Sequence, residues 1–199
     1  MKRSKKTFIL AAVLVLLLAG AGLLYNKLSQ GRSPGLPPVE DSASSFQESS
    51  PVPAPSFPLE DPEGNLLDLS DLIGDKPVVL NFWASTCPPC KEEMPDFQAA
   101  FEQYGQEIHF VMVNVGDAMQ GETREKAEAF LMETGYSFPV YYDIDYQGIL
   151  TYGVTGFPHT YFIDSQGNLQ LYAPGMISAA GLQQGLHSIS PDLVPAPES

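Results

Sequence analysis

Cys87 and Cys90 are the only cysteines of this 199-residue chain, and Pro88 and Pro89 separate them. Two cysteines are too few for a disulfide scaffold or a four-thiolate zinc site, so whatever they do, they do as a pair. They follow the apolar run Pro77-Val78-Val79-Leu80-Asn81-Phe82-Trp83 and precede a helical stretch from Pro88 to about Tyr104. That order puts Cys87 at a helix N-terminus, where unpaired backbone N–H groups and the positive end of the helix dipole favour a thiolate. Thiols in such motifs have pKa values of roughly 3.5–7.5, against about 8.5 when free. Cys87 is then the exposed nucleophile. Cys90, one turn further and facing inward, is the thiol that resolves a mixed disulfide. Pro88 and Pro89 suit a first helical turn, which needs no donated N–H. A structural disulfide and half of a metal site are the other readings of a bare C-x-x-C; the strand-then-helix setting and the absence of further cysteines favour redox chemistry.

The net charge of −14 describes no single part of the chain. Six of the ten Lys and Arg lie at or before residue 32, and all 24 Asp and Glu lie after it, so the remainder sets four basic residues against 24 acidic ones, a net −20. Such a surface repels phosphate, and nucleic acid is excluded as a partner because binding it needs clustered cations. Lys2, Arg3, Lys5 and Lys6 precede an uncharged apolar run from Phe8 to Tyr25, about the length that crosses a hydrocarbon core as one helix. The basic flank, residues 1–7, is expected to stay cytoplasmic and the acidic remainder to lie outside. This predicts a single-pass cell-membrane protein with an extracytoplasmic catalytic domain. A cleaved signal peptide, with Ala19-Gly20-Ala21 as its small-residue site, is the competing reading and makes the protein secreted. Either way the working part lies where disulfides persist.

Residues 26–56 are rich in Ser, Pro, Gly and acidic side chains and predict a disordered tether; the Pro-rich tail, residues 191–199, reads likewise. Between them, residues 57–190 alternate strand and helix signals. A hairpin turns at Gly64-Asn65, and Ile108 to Val115 is a second near-continuous apolar run, the pattern of a strand buried on both faces. Glu122 to Thr134 and Ser178 to Ile189 read as helices, the latter weakened by Gly181 and Gly185. Tyr161 to Tyr172 reads as a second hairpin. The sum is an α/β sandwich with a mixed sheet.

The stretch Val79-Leu80-Asn81-Phe82-Trp83-Ala84-Ser85-Thr86-Cys87-Pro88-Pro89-Cys90-Lys91-Glu92-Glu93-Met94-Pro95 resembles the active-site segment of the thioredoxin superfamily, specifically of the membrane-anchored TlpA/ResA-like thiol-disulfide oxidoreductases. The resemblance covers residues 57–190, with Thr155-Gly156-Phe157-Pro158 and Tyr161-Phe162-Ile163-Asp164 in the family's order. It implies a thioredoxin-like three-layer sandwich with a mixed central sheet, an N-terminal β-hairpin and an inserted helix, preceded by one transmembrane helix. It also implies a dithiol/disulfide cycle without cofactor or metal, and protein disulfides as substrates. Electrons would come from a membrane thiol carrier of the CcdA type, and the task would be that of a reductant, for example in cytochrome c maturation.

The same resemblance assigns further residues. Pro158 matches the family's cis-proline, with Phe157 offering main-chain groups to a substrate strand; Trp83, Pro88 and Pro89 border the substrate. Pro95 matches a helix-kinking proline. Thioredoxin carries a buried aspartate where this chain has Asn81, which cannot titrate. Glu93 matches the family's glutamate, and its spacing of three puts it on the helix face of Cys90, where apolar surroundings would raise its pKa and let it accept the Cys90 proton. His159 departs from the usual threonine; it either tunes the sulfurs or simply packs. The rival from another class is a Cu(I) carrier using Cys87, Cys90 and a histidine, since thiolates prefer soft metals.

Overall fold

The computed structural model describes residues 51–197. The predicted membrane segment, residues 8–25, its basic flank and the tether up to residue 50 lie outside the described residues; among those described, no helix is long and apolar enough to cross a membrane. The strands are β1 (Pro58–Glu60), β2 (Leu66–Asp68), β3 (Val78–Trp83), β4 (His109–Asn114), β5 (Val140–Asp143), β6 (His159–Ile163) and β7 (Leu169–Pro174). The helices are α1 (Pro88–Tyr104), α2 (Arg124–Thr134), α3 (Gln147–Thr151) and α4 (Ala179–Ile189). One sheet has the order β2-β1-β5-β4-β3-β6-β7. Strands β3, β4 and β5 run parallel, while β6 pairs antiparallel with β3 and β1 antiparallel with β5. This is the mixed-sheet α/β architecture expected from the sequence, leading hairpin included.

All six residues of β3 are buried, because both of its edges are paired and both faces are covered. Alternation sorts its side chains. Asn81 and Trp83 point to one face, meeting Glu93 of α1 and Phe130 of α2. Phe82 points to the other, against Phe57, Tyr152 and Tyr161. On that second face α3 comes so close that a Cβ at Gly148 would run into Phe57 and Phe82. Helix α4 covers the first face beside Phe162 of β6.

Two boundaries differ from the sequence reading. Residues 52–56 are not disordered: Val52 accepts the Leu169 N–H, Ala54 donates to Gly167, Pro55 accepts the Tyr152 hydroxyl and Ser56 accepts the Ser70 N–H. Pro53 lies between Val52 and Ala54, the two residues that pair along the 167–169 segment. An edge strand needs donors only at every second position, so a composition that suggested disorder is compatible with pairing along one side. The tail is anchored at Val194 and Pro195: Val194 is fully buried, its carbonyl accepts from His187 Nδ1 at 2.7 Å, and the Pro195 carbonyl accepts from Gln183 Nε2 at 3.1 Å. Two short elements, β5 and α3, were not foreseen.

Gly185 does weaken the intrinsic helix propensity of α4, but it serves a close approach, since a Cβ there would collide with the ring of buried Phe162. Gly185→Ala should gain about 1 kcal/mol of helix propensity and lose about 1–3 kcal/mol to overpacking, more if both ring and backbone must move. The urea midpoint is expected to fall. A rise would show that Phe162 has room to yield.

Candidate active site

Strand β3 delivers the chain through Ala84, Ser85 and Thr86 to Cys87, whose N–H donates to the Ala84 carbonyl at 3.2 Å. Cys87 is the N-cap of α1, and its Sγ accepts the Cys90 N–H at 3.3 Å. Pro88 and Pro89 occupy the first helical positions, both exposed. Cys87 and Cys90 form a disulfide with their Cα atoms 5.3 Å apart. In this oxidised state Cys87 is 2% exposed and Cys90 0%. The exposed nucleophile expected from the sequence is not seen in this state: Cys87 is buried like Cys90.

Glu93 lies one turn beyond Cys90 and is 1% exposed. Its Oε1 accepts from Asn81 Nδ2 at 2.9 Å and its Oε2 from the Ile177 N–H at 2.9 Å. The Asn81 amide also donates to Thr160 Oγ1 at 3.0 Å. The amide at the position of thioredoxin's aspartate is therefore a donor that holds the carboxyl group. Burial, the largest influence, pushes the Glu93 carboxyl from 4.5 up to about 7, against the hydrogen bonds from Ile177 and Asn81.

The Phe157–Pro158 peptide is cis, with Phe157 half-buried and Pro158 buried. His159 belongs to the opposite sheet face from Asn81, as its pairing with Phe82 requires. Its ring stacks on Tyr161 at 5.0 Å and on Tyr172 at 6.1 Å. Burial pushes its pKa down against a hydrogen bond with the Gly156 backbone. Trp83 is fully buried and packs on Phe130, 6.0 Å between centroids. His109 and His187 bind backbone carbonyls of Leu72 and Val194. Among the described residues no three His, Cys, Asp or Glu side chains converge as metal ligands would.

One residue of this neighbourhood carried no local signal. Glu122 was read as the start of a helix, but α2 begins at Arg124 with Thr123 as its N-cap. The Glu122 side chain turns instead to the segment before Cys87, accepting the Ser85 N–H and hydroxyl, the Thr86 N–H and the Asn114 amide. The only hint was Asn114 itself, a polar end to an apolar strand, placed beside Trp83 by the sheet register.

A helix-capping C-x-x-C disulfide at the end of an interior strand of a mixed sheet, with a buried carboxyl group one turn beyond, defines a dithiol protein of thioredoxin type. Residues 52–172 match the AhpC/TSA family. Over 193 residues the chain is 32% identical to the thiol-disulfide oxidoreductase ResA of Bacillus subtilis, covering 96% of this chain and 97% of that one. It is similar in structure to a thiol:disulfide interchange protein DsbE from Chlorobium tepidum, with 33% identity, a TM-score of 0.58, and coverage of 68% of this chain and 94% of that one. StoA from Bacillus subtilis follows with 25% identity, a TM-score of 0.57, and coverage of 68% and 98%. The chain belongs to the ResA-like thiol-disulfide oxidoreductases of the thioredoxin superfamily.

Because folded Glu93 keeps its proton to higher pH than it would unfolded, its contribution to stability is complete below about pH 4.5 and is lost as pH rises through about 7. One group so displaced changes the unfolding free energy by up to about 3 kcal/mol. Urea stability of the oxidised protein should therefore fall more steeply over this window in wild type than in Glu93→Gln. Equal slopes would assign the titration elsewhere.

Proposed function

We propose that this oxidoreductase is a membrane-tethered, extracytoplasmic reductant of protein disulfides, with Cys87 as nucleophile, Cys90 as resolving thiol and Glu93 as proton acceptor. The observation that carries the exchange mechanism is the buried Glu93 carboxyl group, held by Asn81 and Ile177 one helical turn beyond Cys90. The Cys87 thiolate attacks one sulfur of a substrate disulfide and expels the other as a thiolate. Glu93 then takes the Cys90 proton, and the Cys90 thiolate attacks Cys87 Sγ, which releases the second substrate sulfur and leaves the Cys87–Cys90 disulfide. A base with pKa near the working pH suits that proton transfer, and a buried thiol without one would stay protonated.

Phe157 and Pro158 offer the substrate main-chain groups, with the exposed Pro88 and Pro89 bordering it; Trp83, expected there from the sequence, is fully buried and supports the site from beneath. Two further electrons, passed from a CcdA-type membrane thiol carrier, restore the dithiol. The resemblance to a family that keeps apocytochrome c haem-site cysteines reduced makes those the first client class to test. The basic start and apolar run of residues 1–25 support a tether outside the cytoplasm.

Cys90→Ser in cells should trap covalent partners through Cys87, and Cys87→Ser should trap none; no trapping, or equal trapping by both, would refute the assigned roles. A reduction potential near about −270 mV, followed through the fluorescence of Trp83, fits a reductant, whereas one near about −120 mV would make the protein an oxidant. Glu93→Gln should slow resolution of the mixed disulfide by about 10²-fold or more and remove the rate dependence near pH 7.

A further inference from the structure

Glu122 takes no part in the exchange steps above, yet it is only 2% exposed and its two oxygens accept four hydrogen bonds of 2.8–2.9 Å. Three of the donors are the N–H groups of Ser85 and Thr86 and the Ser85 hydroxyl, from the two residues immediately before Cys87. The fourth, the Asn114 amide, comes from the end of β4. Burial alone would favour the neutral acid, but the bonds from Ser85, Asn114 and Thr86 outweigh it and hold the carboxyl below the ordinary glutamate value. The group is therefore charged at neutral pH. The other charged or titratable groups here are Lys91 and Glu92 of α1, both exposed, the buried Glu93, and Lys126 of α2, whose Nζ donates to the Gly121 carbonyl beside Glu122.

We propose that Glu122 is a positioning residue of the disulfide exchange: its buried carboxylate holds the turn that presents Cys87, and its negative charge there disfavours the Cys87 thiolate, biasing the pair toward giving up electrons. The proposal rests on the reductant reading and deepens it. Reduction of the Cys87–Cys90 disulfide takes up two electrons and two protons, or one proton when Cys87 remains a thiolate. The helix N-terminus stabilises that thiolate and so favours the dithiol. A fixed negative charge on the adjoining turn acts in the opposite sense, making the dithiol easier to oxidise. The acidity of Cys87 is the balance of these two fields.

The test compares the full chain carrying E122Q with wild type. Cys87 acidity is read from the pH dependence of alkylation by iodoacetamide, and the thiol-disulfide equilibrium is read in glutathione buffers. Glutamine nearly preserves size but removes the charge, so Cys87 should become about tenfold more acidic. The equilibrium should move toward the dithiol by up to about tenfold, equivalent to about 30 mV. A purely structural clamp gives the opposite sign, since a loosened turn takes Cys87 away from the helix N-terminus and makes it less acidic. That result, or no change, overturns the proposal. If E122Q does not fold, E122D decides: it keeps the charge but withdraws it by one methylene, so Cys87 should be more acidic than in wild type, and an unchanged Cys87 overturns the proposal equally. Wild-type protein that fails to reduce disulfides sinks the reductant reading alone, because the Glu122 effect is a difference between variants.

Discussion

Asn81 stands in the middle of a strand that has neither a solvent face nor a free edge, so the donors of its amide can be met only inside the protein. It donates to Glu93 on α1 and to Thr160 on β6, and the second oxygen of Glu93 takes the Ile177 N–H from the loop after β7. Three segments far apart in the chain are thereby joined to β3. The rotation of α1 about its axis follows. With Glu93 directed at Asn81, Cys90 faces inward and Cys87 is left at the cap, where the helix N-terminus acts on its sulfur. A fully internal polar contact is in this way also what orients the thiol pair.

Two glutamates flank the pair, both at most 2% exposed, and their carboxyl groups are displaced in opposite directions. The difference lies in how many donors each meets. Glu93 accepts two hydrogen bonds, and burial prevails. Glu122 accepts four, and together they exceed the cost of burial. One carboxyl group is thus suited to exchanging a proton near neutral pH and the other to holding a charge, a division of roles set by environment and not by residue type.

Much of this was legible because its causes are local. A C-x-x-C between an apolar run and a helical stretch announces its own geometry, since strand burial, proline at a first turn and helix polarity all act within a few residues. The hairpins and the long helices are of the same kind. Strand β5 and helix α3 were not legible, because four and five residues are too short to show a period and their pairing is with β1, β4 and the core. Residues 52–56 and the anchor at Val194 and Pro195 fall in segments whose composition suggested disorder, since composition reports how much apolar surface a segment can bury and not whether an edge or a groove awaits it. His159 was left between two readings; its place in an aromatic stack with Tyr161 and Tyr172 depends on cross-strand register.

By itself the sequence determined the redox pair, which cysteine caps the helix, the α/β class, and the position of Glu93 one turn from Cys90, because each follows from spacing along a single element. Only the tertiary structure decided what surrounds that pair. Glu122 lies some 35 residues beyond Cys87, and no local periodicity links them; the parallel pairing of β3 with β4 sets Asn114 beside Trp83 and brings the loop after β4 against the Ser85–Thr86 turn. Whether a buried carboxyl group keeps or loses its proton depends on the donors that distant segments deliver to it, and those are known only once the chain has closed around it.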